Sequence, residues 1–352
     1  MSSSMLNVVG WDIGGVNIKA ARLLWQAGEI VDSRVVVHPF EIWRKRENLP
    51  VMLEQIGDEL GIALAKAMAV TMTAELSDTF RSKREGVLSI LDTIDQVFPN
   101  IPIYPLSLEG DFVPLSEARQ HPLDFAASNW LASGLYVAHR HCDCILMDVG
   151  STTTDIIPIR EGRVICTGRT DMERLTSGEL IFSGILRTNP NTIVGQVPIN
   201  GRMCRVAAEL FTLMADVYLW LGYISPESYT CPTADGRAKS RQASKERLAR
   251  LVCADAEMLN EEQLFKLARY LFEKQLQQLI EALCQVLSRI DNGYQMPLEV
   301  AGAGAFLAAE AGQRLGITVL DLAKEWGAKA TAALPAQAAA YLLARKLDEE
   351  NP

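Results

Sequence analysis

Two stretches of this 352-residue chain carry residue types, at a spacing, suited to gripping phosphate. The first is Asp12-Ile-Gly-Gly-Val-Asn-Ile-Lys19. A carboxylate at a strand end can hold magnesium, usually through water. Gly14 and Gly15 have no Cβ, so backbone N–H groups can come close to phosphate oxygens, and Asn17 and Lys19 add donors. The second is Asp148-Val-Gly-Ser-Thr-Thr-Thr-Asp155, in which Gly150 precedes the hydroxyls of Ser151, Thr152, Thr153 and Thr154. A buried strand has little use for four hydroxyls in a row, although Thr also suits a plain β-hairpin. A third stretch, Val300-Ala-Gly-Ala-Gly-Ala-Phe306, places Gly302 and Gly304 at a strand-to-helix junction. It suits either a nucleotide-like flat group lying on backbone or tight helix–strand packing.

These turns need strands to hold them. Apolar alternation predicts strands over 7–13, 17–24 and 30–37, then a helix over 49–64 and a strand over 69–73. A helix over 86–97, a β-like run over 99–108 and a helix over 123–139 follow. The opening pattern then returns, with strands over 144–149, 151–159 and 163–167, about 136 residues later. Beyond it the spacing predicts a helix over 177–186, strands near 193–198, a long helix over 204–221 and a polar segment over 225–244. Helices over 245–251 and 261–288, strands over 298–301 and 317–320, and a closing helix over 335–346 complete the reading. Hairpin strands at the start do not suit a dinucleotide fold, which passes from its first strand straight into a helix. The repeat predicts two similar α/β domains, 1–140 and 141–334. The closing helix, 335–347, is expected to pack back on the first, and a polar lid-like insertion to occupy 225–245.

Composition narrows the partners. Hydrophobic content of 49% supports one or two real cores, and a net charge of −9 argues against a nucleic-acid or anionic-membrane surface. A small phosphorylated ligand needs only local donors and stays open. Seven scattered Cys read as reduced thiols. Cys142 and Cys144, beside His139 and His141, lack a second pair at zinc spacing. No basic stretch followed by an apolar run opens the sequence, and no run of roughly 18 apolar residues occurs, so a cytoplasmic protein is expected.

Taken together, the two Asp-Gly hairpins and the late Gly-x-Gly resemble the superfamily of actin, sugar kinases and heat-shock chaperone ATPases. The resemblance implies two duplicated actin-like, ribonuclease H-like domains around a central phosphate-binding cleft, with the late glycine turn packing on adenosine. Two departures stand out. Gly15 sits where many kinases of this fold carry Thr or Ser, which weakens an ATP reading. No catalytic aspartate of the sugar-kinase kind lies between the hairpins, Asp124 being nearest in context.

Further stretches resemble a narrower family. They include Val70-Thr-Met-Thr-Ala-Glu-Leu-Ser-Asp78 with Glu85-Gly-Val87, Ala127-Ser-Asn-Trp130 and Thr170-Asp-Met-Glu-Arg-Leu175. Ser177-Gly-Glu-Leu180, Gly184-Ile-Leu-Arg-Thr188, Asp216-Val-Tyr218 and Thr233-Ala-Asp-Gly-Arg237 belong to the same set. The combination is similar to the hydantoinase/oxoprolinase-related proteins of the tetrahydromethanopterin-linked one-carbon pathway, whose archaeal relatives build methanofuran. The resemblance implies a transferase in which the phenol oxygen of γ-glutamyl-tyramine displaces diphosphate from an aminomethyl-furan-methyl diphosphate. Magnesium on Asp12 and Asp148, with donors from both hairpins, would neutralise the leaving group, and ATP is possible but not required. Glu75, Asp78 and Asp171 are unranked candidates for the base. Arg187 is a candidate for an acceptor carboxylate, Arg174 and Glu179 lie on the same capping segment, and Asp235 and Arg237 sit on the lid. Asn129 and Trp130 are candidates beside a flat substrate. An ATP-dependent kinase or ligase, or a nucleotide-binding protein without turnover, remains an alternative on the same fold.

Overall fold

A computed structural model describes residues 5–350. The chain divides into two units. Unit 1 holds residues 1–144, 157–173 and 322–352, and unit 2 holds 145–156 and 174–321.

The sheet of unit 1 has the order β3-β2-β1-β4-β5. Its strands are β1 (Leu6–Ile13), β2 (Asn17–Gln26), β3 (Glu29–Pro39), β4 (Ala67–Met72) and β5 (Ile103–Pro105). The first three are antiparallel neighbours, and β4 and β5 add in parallel through helical crossovers. Val9, Trp11 and Ile13 of β1 and Met68, Val70 and Met72 of β4 are buried in one core with Leu53 and Ile56 of helix Leu49–Leu60 and Ile90 and Ile94 of helix Lys83–Val97. A helix made of the last described residues, Leu334–Glu350, packs on β1, β2, β4 and helix Asn129–Ala138. Its alanines permit a close approach. A Cβ on Gly10 of β1 would lie 2.0 Å from the Ala336 carbonyl oxygen.

The second sheet repeats that order. Its strands run β13-β12-β6-β7-β8, with β6 (Cys144–Val149), β7 (Thr154–Arg160), β8 (Arg163–Val164), β12 (Leu298–Ala301) and β13 (Val319–Asp321). Here β12 lies parallel to β6, and β13 parallel to β12, as β4 and β5 do beside β1. A short strand β9 (Leu180–Ile181) pairs with β7, and β10 (Gln196–Ile199) and β11 (Arg202–Arg205) form a separate hairpin. Leu267, Leu271, Leu276 and Leu283 of helix Glu261–Leu287 are buried in the core of unit 2.

Three expected helices take another form. The stretch 204–221 is not one helix: β10 and β11 turn at Asn200-Gly201, both at positive φ, and the helix is only Met214–Leu221. Asn-Gly with two left-handed residues is the tight hairpin turn, so the local signal was a strand pair. The stretch 177–186 is not helical either. The helix there is Asp171–Ser177, stopped by Gly178 at φ 77°, after which the chain pairs as β9. The stretch 123–139 is broken into a 3₁₀ turn, Pro122–Phe125, and helix Asn129–Ala138, with Ala127 at φ 53° between them. Among the described residues no helix is long and apolar enough to cross a membrane.

Candidate functional site

The same turn is built twice. At the end of β1, Gly14 N–H donates to the Asn17 carbonyl at 3.0 Å, and at the end of β6, Gly150 N–H donates to the Thr153 carbonyl at 2.8 Å. Each turn follows a strand-end aspartate by two residues. In the first hairpin Asp12 and Lys19 are opposite each other in register, and the Lys19 ammonium lies 3.3 Å from the Asp12 carboxylate, which is 2% exposed. A Cβ on Gly14 would sit 2.7 Å from the Asn17 oxygen, so the turn itself demands glycine. A Cβ on Gly15 would meet nothing within 4 Å. Glycine at that position therefore leaves room that the fold does not fill.

In unit 2, the segment 183–188 is laced to the second turn. Thr154 hydroxyl donates to the Ser183 carbonyl at 2.7 Å. Ile185 N–H donates to Gly150, and Leu186 and Arg187 N–H both donate to the Ser151 carbonyl, at 3.0–3.1 Å. Gly184 fits because a Cβ there would lie 2.5 Å from the Thr152 nitrogen. Arg187 is thereby fixed by its backbone at the hydroxyl-rich turn, whose Ser151, Thr152 and Thr153 are half-buried. Gly302 and Gly304 reach the same place from β12. A Cβ on Gly302 would stand 2.2 Å from Asp148 Oδ1, and one on Gly304 would stand 2.4 Å from a Val149 methyl. Close packing onto the strand end thus accounts for both glycines.

Asp155, Arg174 and Glu179 form a support behind this turn. Buried Arg174 reaches Asp155 at 2.8 Å and the Glu179 carbonyl at 3.0 Å, and the buried Glu179 carboxylate is paired with Arg289. Asp235 and Arg237, expected on a mobile lid, are tied into an ion network. Arg237 bonds Asp235 and Glu246 at 2.7 Å each, and Asp235 also accepts from Arg247 at 3.1 Å. Burial works to raise the Asp235 pKa, but hydrogen bonds from Arg237 and the nearby guanidinium of Arg247 hold it down at about 2. Arg247 and Asp216 are both fully buried, 2.7 Å apart.

In unit 1, the three candidate bases separate sharply. Asp78 is exposed in a turn. Asp171 is paired to Lys83 at 2.6 Å. Glu75 is 1% exposed, and neither carboxylate oxygen has a hydrogen-bond partner among the described residues. Burial pushes its pKa up to about 7, with Asp171 adding to the rise and the Glu75 and Ala127 amides and Lys83 opposing it. Asn129 and Trp130 begin the helix just after Ala127, Asn129 half-buried and Trp130 buried. Lys83, Gly86, Ala127 and Arg247 were not picked out as site residues in the sequence. Gly86 and Ala127 do lie inside stretches that carried the family resemblance.

The donors at both turns suit a hard cation. The Asp12 carboxylate at the first turn and, separately, the Asp148 carboxylate and the hydroxyls of residues 151–153 at the second are oxygen ligands of the kind magnesium prefers. Among the described residues no three His, Cys, Asp or Glu side chains gather into a metal cage. Magnesium at either turn would complete its shell with water and substrate oxygens, as it commonly does.

The profile of the hydantoinase/oxoprolinase family matches residues 66–345. A protein of Methanocaldococcus jannaschii, named as the synthase of a γ-glutamylaminoethyl-phenoxymethyl-furanyl methanamine, is 34% identical over 346 residues, covering 97% of this chain and 99% of that protein. A Methanococcus vannielii protein of the same name is 26% identical over 58% of this chain and 93% of its own length. Among solved structures, nucleotide-free acetone carboxylase superposes with a TM-score of 0.57 at 12% identity, over 97% of this chain and 70% of that one. That likeness, with the sheet order repeated in the two halves, identifies the actin-like ATPase fold.

Proposed function

Since this chain belongs to the hydantoinase/oxoprolinase family, matched over residues 66–345, we propose that it is the furan–tyramine ether synthase of a methanofuran-type pathway. The observation that carries this reading is the near full-length relative, 34% identical, which bears the name of that synthase. The reaction joins the phenol oxygen of γ-glutamyl-tyramine to the methylene carbon of an aminomethyl-furan-methyl diphosphate. The C–O bond to diphosphate breaks, and its electron pair leaves on the diphosphate.

The residues suit this chemistry. A furan-methyl carbon sheds diphosphate readily because the ring stabilises the developing cation, so the main work is to stabilise charge on the leaving group. Backbone N–H groups of the two glycine turns, the hydroxyls of Ser151, Thr152 and Thr153, and the Lys19 ammonium are the donors assigned to it. Asp12 at the first turn and Asp148 at the second are the carboxylates assigned to magnesium, which would neutralise further phosphate charge. Room beside Gly15, left open where a side chain could stand, favours a bulky anion at the first turn. Arg187, held at the second turn by its own backbone, is assigned to an anionic group of substrate, the acceptor's glutamyl carboxylate.

The test is mass spectrometry of protein incubated with magnesium, γ-glutamyl-tyramine and the furan-methyl diphosphate, with and without ATP. Ether and free diphosphate are expected without ATP. Product only when ATP is supplied would move the chemistry to a kinase or ligase. Asp148→Asn is expected to lower kcat by about 100-fold or more, on the scale of losing one transition-state charge stabiliser, while leaving the melting temperature near wild type. Normal turnover in that variant would remove Asp148 from the reaction.

A further inference from the structure

Glu75 is a buried carboxyl group to which no side chain among the described residues donates a hydrogen bond; the groups that ease its charge are the Glu75 and Ala127 amides and the more distant Lys83. Buried Asp216 is treated differently: it accepts from Thr212, Leu213 N–H, Ser244 and Arg247. The surroundings of Glu75 come from separate parts of the chain. Gly86 lets helix Lys83–Val97 press on it, since a Cβ there would lie 2.6–2.8 Å from the Glu75 Cα, carbonyl oxygen and Cβ. Ala127, in a strained left-handed conformation, points its amide dipole at the carboxylate. The Lys83–Asp171 pair supplies the charged groups that face it. These are three of the stretches that carried the family resemblance, and they converge on one carboxylate.

Its position on the sheet is also informative. Glu75 follows the carboxyl end of β4, which lies beside that of β1. Two residues earlier, Thr73 N–H donates to the Ile13 carbonyl, and its Oγ1 lies 3.7 Å from where a Gly14 Cβ would be. Ligands of open α/β sheets gather at carboxyl strand ends, so Glu75 stands at the end of the sheet that carries the first phosphate turn.

We infer that Glu75 is the catalytic proton acceptor for the phenol, an assignment that rests on the transferase reading above. Its carboxylate takes the proton as the phenol oxygen forms its bond to the furan-methyl carbon and the bond to diphosphate breaks. The proton then passes from Glu75 to solvent after product leaves. The unfilled acceptor capacity of its two oxygens is what a phenol O–H would occupy. Burial holds the group near the strength a base needs at neutral pH, far closer to a phenol than an ordinary glutamate is.

The experiment compares the full-length wild type with Glu75→Gln, using γ-glutamyl-tyramine and a ring-polyfluorinated analogue whose phenol is already ionised at neutral pH. With the ordinary acceptor, kcat of the variant is expected to fall about 100- to 1,000-fold, and the rise in wild-type kcat through about pH 7 to vanish. The fluorinated acceptor should restore most of the rate, which a merely structural residue would not do. Should Glu75→Gln fail to fold, Glu75→Asp keeps a carboxylate and is expected to retain the wild-type ratio of the two acceptors. Equal loss with both acceptors in a folded variant, or a kcat within about threefold of wild type, would overturn the assignment while leaving the transferase reading intact. A wild type that makes no ether would overturn that reading, and this inference with it.

Discussion

Glu75 is a carboxyl group that burial makes costly to ionise, and its stability signature follows. Its pKa rises from 4.5 to about 7 on folding. Between those values the native state binds more protons than the unfolded chain, so stability falls as pH rises through that window, by roughly 3 kcal/mol in all. Below about pH 4.5 the penalty is absent, and above about 7 it is complete. Denaturant melts of wild type from pH 5 to 8 should show this loss, and Glu75→Gln should lack it and be the more stable protein at pH 8. The two turn glycines separate in the same manner. Gly14→Ala should lower the melting temperature, because its Cβ meets the Asn17 carbonyl oxygen. Gly15→Ala should leave the melting temperature alone and raise the KM for the diphosphate. The sequence named Asp12, Gly14, Gly150 and Glu75 because their chemistry is local. It did not rank Glu75 above Asp78 and Asp171, because burial and the Lys83 pairing depend on segments far apart in the chain.

At the level of elements, the strands and the long amphipathic helices were legible from apolar spacing, and the errors fell where one backbone conformation decides. Ala127, Gly178 and the Asn200-Gly201 turn each adopt positive φ and lie within or just before a stretch that otherwise reads as helix. Asn-Gly was the visible cue among these, whereas nothing in a lone alanine announces a left-handed residue. The segment around Thr233–Arg237 shows the same limit. Its polarity suggested a mobile lid, and the pairing of Asp235 with Arg237 and with Arg247, across a stretch of chain, was not visible in that polarity. Arg247→Met is expected to destabilise the protein by about 3–5 kcal/mol, since Asp216 would keep a buried charge without its partner. A double variant with Asp216→Leu should recover much of that loss, measured by thermal unfolding. Gly86→Ala should cost about 1–3 kcal/mol by forcing helix Lys83–Val97 off Glu75.

At the scale of the molecule, the duplication read from two short motifs extends to whole sheets, since β3-β2-β1-β4-β5 and β8-β7-β6-β12-β13 are one order drawn twice. Helix Leu334–Glu350 adds a long-range tie to the first of these. It covers strands that lie more than 260 residues earlier in the chain, and Gly10 and Ala336 interlock there. A ribosome therefore finishes β1 roughly 330 residues before it makes the helix that seals it. At about 5–20 residues per second, that interval is roughly 15–65 s. During it β1, β2 and β4 lack the cover of this alanine-rich helix, whose docking completes the packing of that side of the sheet.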